Sequence, residues 1–371
     1  MEQALSRFSR IAIKVGSNVI TQPDGSLNSW RISRIVEDIA VLFRHDKEVI
    51  LISSGAVAAG RGEVNPSSRT SLVTSRQVLA AVGQVKLMSS YQFLFGKFGI
   101  PAGQVLTTKE SFSDRMHYLN MKNCITAMLD NKVIPIVNEN DAIAIDELMF
   151  TDNDELSGLI ASMMNCDVLI MLTNVDGIYK GDPKQEGAEL IREISVDAGR
   201  MDKYISSGIS GSGRGGMLSK YGNARKAALE GTDVYIANGT RDSIILDITR
   251  KKDVPFTRLA GASNRTTGIK KWITHSDSFV KGAVRINDGA KNALLGEKAS
   301  SLLFIGITDI DGLFKKGDLV RILDSEGNII GIGKSQFDSG QAEQHLGEKF
   351  SKPLIHYDFL VINDKDTSQV F

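Results

Sequence analysis

The apolar run Val133-Ile134-Pro135-Ile136-Val137 leads directly into Asn138-Glu139-Asn140-Asp141, and Thr151-Asp152-Asn153-Asp154 follows about ten residues later. A mostly β-branched run with no polar alternation predicts a strand buried on both faces, which a parallel sheet covered by helices provides. In open α/β sheets, ligands bind just outside the carboxyl ends of the strands. The Asn and Asp clusters therefore fall where a site belongs. Their carboxylates and amides suit an ammonium group, a metal ion, or both.

The rest of the first two thirds fits the same frame. Strand-like segments at 11–15, 49–53, 103–107, 168–173 and 234–238 alternate with helix-like segments at 31–44, 72–98, 113–129, 156–164 and 217–230. The long segment 72–98 is expected to break near Gly83. Strands separated by helices predict βαβ units and a mostly parallel sheet with helices on both faces. After about residue 260 the pattern changes. Residues 260–265 read as a linker, and 300–307, 319–323, 329–333 and 359–362 are short, β-rich segments between turn signals such as Asp311-Gly312 and Lys316-Gly317-Asp318. These predict a small all-β module.

Bulk properties exclude several classes. A chain of 371 residues fits about two domains. With 42% hydrophobic and 24% charged residues it has the composition of an ordinary globular protein. The formal net charge of +0 gives no support for a strong binder of nucleic acid or anionic membrane. No apolar run has the length of a membrane-spanning helix, and residues 1–10 lack the apolar core of a signal peptide. Cys124 and Cys166 sit in apolar segments and read as buried thiols of a reducing compartment. A cytoplasmic protein is expected.

Four further motifs have both a chemical and a bland reading. Lys14-Val15-Gly16-Ser17-Asn18 ends the first strand. Its lysine can reach phosphate oxygens while the glycine admits close backbone approach, or it is a strand-end lysine in solvent. Ser53-Ser54-Gly55-Ala56-Val57-Ala58-Ala59-Gly60 follows the second strand, where small residues admit either a substrate or a closely packed helix. Thr173-Asn174-Val175-Asp176-Gly177-Ile178-Tyr179 holds an Asp-Gly turn across which a nucleotide base could lie. Gly211-Ser212-Gly213-Arg214-Gly215-Gly216-Met217-Leu218-Ser219-Lys220 is glycine-rich and opens a helix, an arrangement that cradles phosphate, though a mobile surface loop has similar composition. It lacks Walker A spacing, and no early G-x-G-x-x-G follows the first strand, which argues against a dehydrogenase.

Taken in order, these motifs resemble the signature of the amino acid kinase family. Within that family the likeness is to members that phosphorylate the side-chain carboxylate of L-glutamate in the first step of proline biosynthesis. Ala80-Ala81-Val82-Gly83-Gln84 adds to the match, and Leu313-Phe314-Lys315-Lys316-Gly317-Asp318-Leu319-Val320-Arg321 resembles part of a PUA domain. The resemblance implies a three-layer αβα sandwich with a mostly parallel sheet over residues 1–260. It also implies a linker at 261–274 and a small all-β PUA-like barrel at 275–371.

The resemblance also implies roles. Lys14 and Lys220 would flank the transferred phosphoryl group, with Asp154 orienting them. Ser54, Asn138, Asp141 and Asn153 would bind glutamate, Asp141 pairing with its ammonium. Lys14, Thr173, Asn174, Arg214, Gly215, Gly216, Met217, Leu218, Ser219 and Lys220 would bind ATP, with Mg²⁺ held by phosphates and water and by no protein side chain. A carboxylate acceptor is already ionised at neutral pH and needs no general base. His45, His117, His275, His345 and His356 all lie outside the motifs. Three positions depart from the family pattern: Asn174 stands where Asp is frequent, and Arg214 and Ser219 stand in place of Thr. Feedback inhibition by proline through residues 142–150, a homodimer or homotetramer, and handover of product to the next pathway enzyme are further expectations.

Other readings stay open at this stage. A sister kinase would take N-acetylglutamate, aspartate, uridylate or carbamate. An RNA-binding or regulatory protein on a kinase fold is a different class. Residues 275–371 hold 11 Lys and Arg against 14 Asp and Glu, a net charge opposed to RNA binding. A structural or regulatory module is expected there.

Overall fold

The computed structural model describes residues 8–113, 115–143, 153–181, 187–196, 216–262, 280–296 and 300–362. The chain divides into two compact units, Met1–Arg265 and Thr266–Phe371.

The first unit is built on an eight-stranded sheet. Its six long strands are β1 (Arg10–Val15), β2 (Glu48–Ser53), β3 (Ala102–Thr107), β4 (Ile134–Glu139), β5 (Val168–Thr173) and β9 (Asp233–Asn238). Short strands complete it: β6 (Tyr179–Lys180) and β7 (Glu189–Leu190) pair with each other, whereas β8 (Glu193–Ile194) and β10 (Phe256–Leu259) join the main sheet. The order is β3-β4-β2-β1-β5-β9-β10-β8. All neighbours are parallel except β9 and β10.

The chain builds outward from β1 in both directions, through β2 on one side and through β5 on the other. The crevice at the carboxyl ends of β1 and β5 is therefore the switch point of the sheet, where such folds bind ligands. Every motif singled out at a strand end lies at this edge.

Burial follows from alternation along β1. Ile11, Ile13 and Val15 join a core cluster with Ile32, Ile35, Val36 and Ile39 of α2 (Ser29–Arg44) and Ile244, Ile245 and Ile248 of α9 (Ile244–Thr249). Each such fully buried aliphatic side chain contributes about 1.5–3 kcal/mol. Ala12 and Lys14 point to the opposite face, covered by α7 (Asn153–Met163). Residues Leu156 to Met163 of α7 are all buried, so this helix is sealed between the sheet and α8 (Met217–Leu229). Pro135 lies within an interior strand yet removes no bond from β2, because the β2–β4 ladder runs only from Leu51↔Ile136 to Ile52↔Val137.

Helix α4 (Leu72–Gly96) runs unbroken through Gly83, where a break was expected. The glycine serves a crossing with α3 (Ala56–Arg61). A Cβ on Gly83 would lie 1.8 Å from the Ala56 carbonyl oxygen, and one on Gly60 would lie 2.0 Å from the Leu79 carbonyl oxygen. The small residues after β2 thus serve close helix packing, as their bland reading held. The chain is helical on both sides of residue 114, which lies outside the described residues, as α5 (Glu110–Ser113) and α6 (Arg115–Asp130), in line with the expected helix 113–129. Cys124 is exposed, whereas Cys166 is buried as expected. On α6 the inward face carries Tyr118, Met121, Ile125 and Leu129, a helical stripe that Cys124 does not join.

The second unit has a five-stranded sheet of order β12-β11-β13-β14-β15. Its strands are β11 (Gly282–Ile286), β12 (Ile307–Asp311), β13 (Leu319–Leu323), β14 (Ile329–Lys334) and β15 (Leu360–Ile362). Helices Asp288–Leu295 and Ser339–Glu343 accompany it. The stretch read as a strand at 300–307 contains a 3₁₀ turn, Phe304–Gly306, because Phe304 is fully buried against Phe337 and Phe350. Packing of one aromatic there outweighs the β propensity of its neighbours. Among the described residues no helix is long and apolar enough to cross a membrane.

Candidate active site

Lys14 is not a strand-end lysine in solvent. It is 5% exposed, and its Nζ lies 2.5 Å from Oδ1 of Asp154, which is itself 2% exposed. Lys220 Nζ, from the first turn of α8, reaches the other oxygen, Oδ2. One carboxylate at the amino end of α7 therefore holds two ammonium groups from β1 and α8. Burial works against ionising Asp154, but the charges of Lys14 and Lys220 and their hydrogen bonds outweigh it and hold its pKa down at about 2. The two lysines bring a net positive charge to a site almost closed to water. The backbone around them is tight: Gly16 N–H donates to the Leu172 carbonyl at 3.1 Å, joining the ends of β1 and β5. A Cβ on Gly16 would lie 3.6 Å from Lys14 Nζ.

A second cluster lies on the β2 and β4 side of the lysines. Asn153 precedes Asp154 and turns its Nδ2 toward the Ser53 carbonyl at 3.1 Å, Ser54 Oγ at 2.8 Å and Asn138 Oδ1 at 3.0 Å. Asn138 Oδ1 also accepts from the Glu139 backbone N–H at 2.9 Å, while its Nδ2 donates to Gln84 Oε1 at 2.8 Å. Ser53 Oγ shares a 3.0 Å bond with the Tyr91 hydroxyl, whose pKa burial pushes up to about 12. Of the residues expected to bind glutamate, Ser54, Asn138 and Asn153 are thus brought into one network. Asp141 lies outside it and is paired with Arg76 Nη2 at 2.9 Å. Gln77 Nε2 donates to the Ala142 carbonyl at 3.0 Å, so α4 holds the whole turn after β4.

The opposite side of the lysines is formed by β5, β9 and α8. Thr173 ends β5, and its Oγ1 lies 3.4 Å from Asn174 Oδ1. Asp176 accepts from Asn238 Nδ2 and from Arg241 Nε, each at 3.0 Å. Burial opposes its ionisation, and the bonds from Arg241 and Asn238 keep its pKa below the usual carboxylate value. Gly216 caps α8 in extended conformation, and with no side chain it leaves the first-turn amides of Met217, Leu218 and Ser219 uncovered by a side-chain cap. Gly211, Ser212, Gly213, Arg214, Gly215, residues 144–150 and Thr151-Asp152 lie outside the described residues.

A central cation pair thus stands between an amide-rich cluster and a strand-end loop beside a helix amino end. Fixed cations beside hydrogen-bonding groups and a helix amino end are the elements that phosphoryl transfer calls for. Residues 9–238 match the amino acid kinase family, and residues 282–356 match the PUA domain. The chain belongs to the amino acid kinase family. It is 52% identical over 356 residues to a glutamate 5-kinase of Bacteroides thetaiotaomicron, covering 96% of this chain and 99% of that protein. A glutamate 5-kinase of Chlorobaculum tepidum is 46% identical over 358 residues, covering 96% of this chain and 98% of that one. Among solved structures, an isopentenyl phosphate kinase substrate complex aligns over 68% of this chain and 100% of its own length, with a TM-score of 0.50 and 19% identity. That likeness is one of fold.

Sequence reasoning missed the contributions of Arg76, Gln77, Gln84 and Tyr91, all on α4. The signal available was helical spacing: 76, 80, 83, 84 and 91 fall on one side of a helix that also carries the glycine of a close crossing.

Because the Asp154 pKa is depressed in the folded chain, its contribution to stability is complete above the unfolded value near 3.9 and is lost as pH falls through about 2. Asp154→Asn leaves two nearly buried ammonium groups without a counter-charge and should cost about 3–5 kcal/mol in urea unfolding at pH 7. The gap from wild type should hold from pH 8 to about 4 and close toward pH 2. A gap that is absent at pH 7 would mean that the carboxylate is not the counter-charge for the pair.

Proposed function

We propose that this protein transfers the γ-phosphoryl group of ATP to the side-chain carboxylate of L-glutamate, giving L-glutamyl 5-phosphate and ADP. This is the first step of proline biosynthesis. The observation that carries the reading is the single buried carboxylate of Asp154 holding Lys14 and Lys220 at the sheet's switch point. Full-length similarity to glutamate 5-kinases supplies the acceptor.

Glutamate lies on the β2 and β4 side, held by Ser54, Asn138, Asn153 and Asp141. The nucleotide lies on the β5 and α8 side, along Thr173, Asn174 and the Gly216–Lys220 turn, with Arg214 and Gly215 just upstream. An oxygen of the γ-carboxylate attacks the γ-phosphorus, and the bond to the bridging oxygen of ADP breaks. Negative charge on the transferring oxygens is met by the two ammonium groups and by the amides of α8, fixed before the reaction begins. No proton is removed from the acceptor, which suits a described site without histidine. Mg²⁺ arrives with the nucleotide as MgATP. Both oxygens of Asp154 face lysines, so the metal would be held largely by the nucleotide phosphates and water.

Asp141 is engaged by Arg76, so glutamate binding exchanges that ion pair for one with the substrate ammonium. Proline carries the same carboxylate and amine without a side-chain carboxylate. It occupies this site without reacting, which makes it a feedback inhibitor. The product is a labile acyl phosphate, suited to direct handover to the next enzyme. RNA has no part in this reading, given the acidic C-terminal unit. A reducing, cytoplasmic setting fits the exposed thiol of Cys124. The active form is a homo-oligomer, a dimer or tetramer, joined through the outer face of α4. Val78, Val82, Val85 and Phe93 form an exposed apolar stripe there at helical spacing.

With Mg²⁺, ATP and hydroxylamine, wild-type enzyme should form hydroxamate from L-glutamate and not from N-acetylglutamate or aspartate, proline should suppress it, and ADP release should show no turnover of UMP. Turnover of another acceptor would reassign the substrate. In light scattering the wild type should show at least a dimer mass, and Val85→Glu should lower it. A monomer mass for wild type would remove the oligomer.

A further inference from the structure

The amide network of the acceptor cluster leaves one group unanswered. The Glu139 backbone N–H can only donate, and it donates to Asn138 Oδ1. That fixes the Asn138 amide, so the nitrogen facing Gln84 is Nδ2, and Gln84 must receive it through Oε1. The Gln84 Nε2 group is thereby forced to the remaining position. It has no hydrogen-bond partner among the described residues, although Gln84 is only 9% exposed. An unmet buried amide donor is costly, so a position of this kind is normally filled by an acceptor.

Geometry narrows the acceptor. Asn138 ends β4, two strands from the β1 that carries Lys14, or about 10 Å across the sheet. The reacting carboxylate must lie beside Lys14 and Lys220, so the cluster at Asn138 meets the other end of the substrate. That end carries an α-ammonium and an α-carboxylate. Asp141 suits the ammonium, which leaves the carboxylate for an N–H donor. Gln84 is held rigidly for this task. Gly83, its neighbour, seats α4 directly on the Ala56 carbonyl, and Arg76 and Gln77 anchor the same helix to the turn after β4.

We propose that Gln84 is a specificity-determining residue whose Nε2 donates to the α-carboxylate of the amino acid acceptor. This rests on the acceptor reading above and adds to it the group that selects a free amino acid.

Gln84→Glu keeps an oxygen to accept from Asn138 and replaces the N–H donor with an ionised acceptor that repels a carboxylate, and Gln84→Met removes the donor without adding charge. Glutamate and its α-amide, isoglutamine, both retain the ammonium and the γ-carboxylate, and they serve as paired acceptors. The expected result is that the ratio of kcat/KM for glutamate over isoglutamine falls at least tenfold in Gln84→Glu, with KM for ATP within twofold of wild type. An unchanged ratio would overturn the proposal. Should Gln84→Glu fail to fold, Gln84→Met also removes the donor and must move the ratio in the same direction. Calorimetric binding of both ligands to wild type and variant reads the contact without turnover. Glutamate that binds wild type without forming hydroxamate would count against the kinase reading alone. Equal weakening of both ligands, or no binding of glutamate to wild type, would sink the assignment of Gln84.

Discussion

Asp154 is the point on which the described site turns. A carboxylate 2% exposed is expensive to ionise, and two ammonium groups from β1 and α8 make ionisation favourable. The dependence is mutual. Without Asp154, Lys14 would be a buried cation at the end of a hydrophobic strand, and Lys220 would face it across the crevice. The arrangement is fixed by tertiary structure, since α7 is sealed against the sheet along its length and presents Asp154 from its first turn. Charge placed in advance, in a site nearly closed to water, is what stabilises a transferring phosphoryl group.

Topology explains why polar groups gather on either side of the two lysines. Strand order reverses about β1 and β5, so the amide cluster comes from β2, β4 and α7 and the groups on the other side from β5, β9 and α8. Asn153 and Asp154 join the halves. One side chain enters the amide cluster and the next holds the lysines, so the cluster and the cation pair share one helix end.

Much of this was legible in the chain. The uniform burial of β4 and the carboxyl-end position of Asn138 followed from one apolar run and the rules of parallel sheets. The ordering of Lys14, the Asn and Asp clusters and Lys220 identified the family. What could not be read was set by packing between distant segments. Gly83 looked like a helix breaker and is the contact point of two helices. Cys124 sits in an apolar segment but off the inward face of its helix. The partnership of Asp141 with Arg76 joins residues 65 positions apart, and no local pattern specifies it. Gln84 was visible only as one letter of a signature. Its importance appears once Asn138 and the Glu139 backbone fix which way its amide must face.

The central claim is that Asp154 and Lys14 act as one unit on the transferred group. A double-mutant cycle in kcat tests it most directly, using Asp154→Asn, Lys14→Met and the pair together in full-length enzyme with MgATP and glutamate. Each single change should lower kcat by about 10³-fold or more, and the double variant should be no worse than about threefold below the poorer single. Losses that multiply in the double variant would contradict the account, because they would show the carboxylate and the lysine working independently.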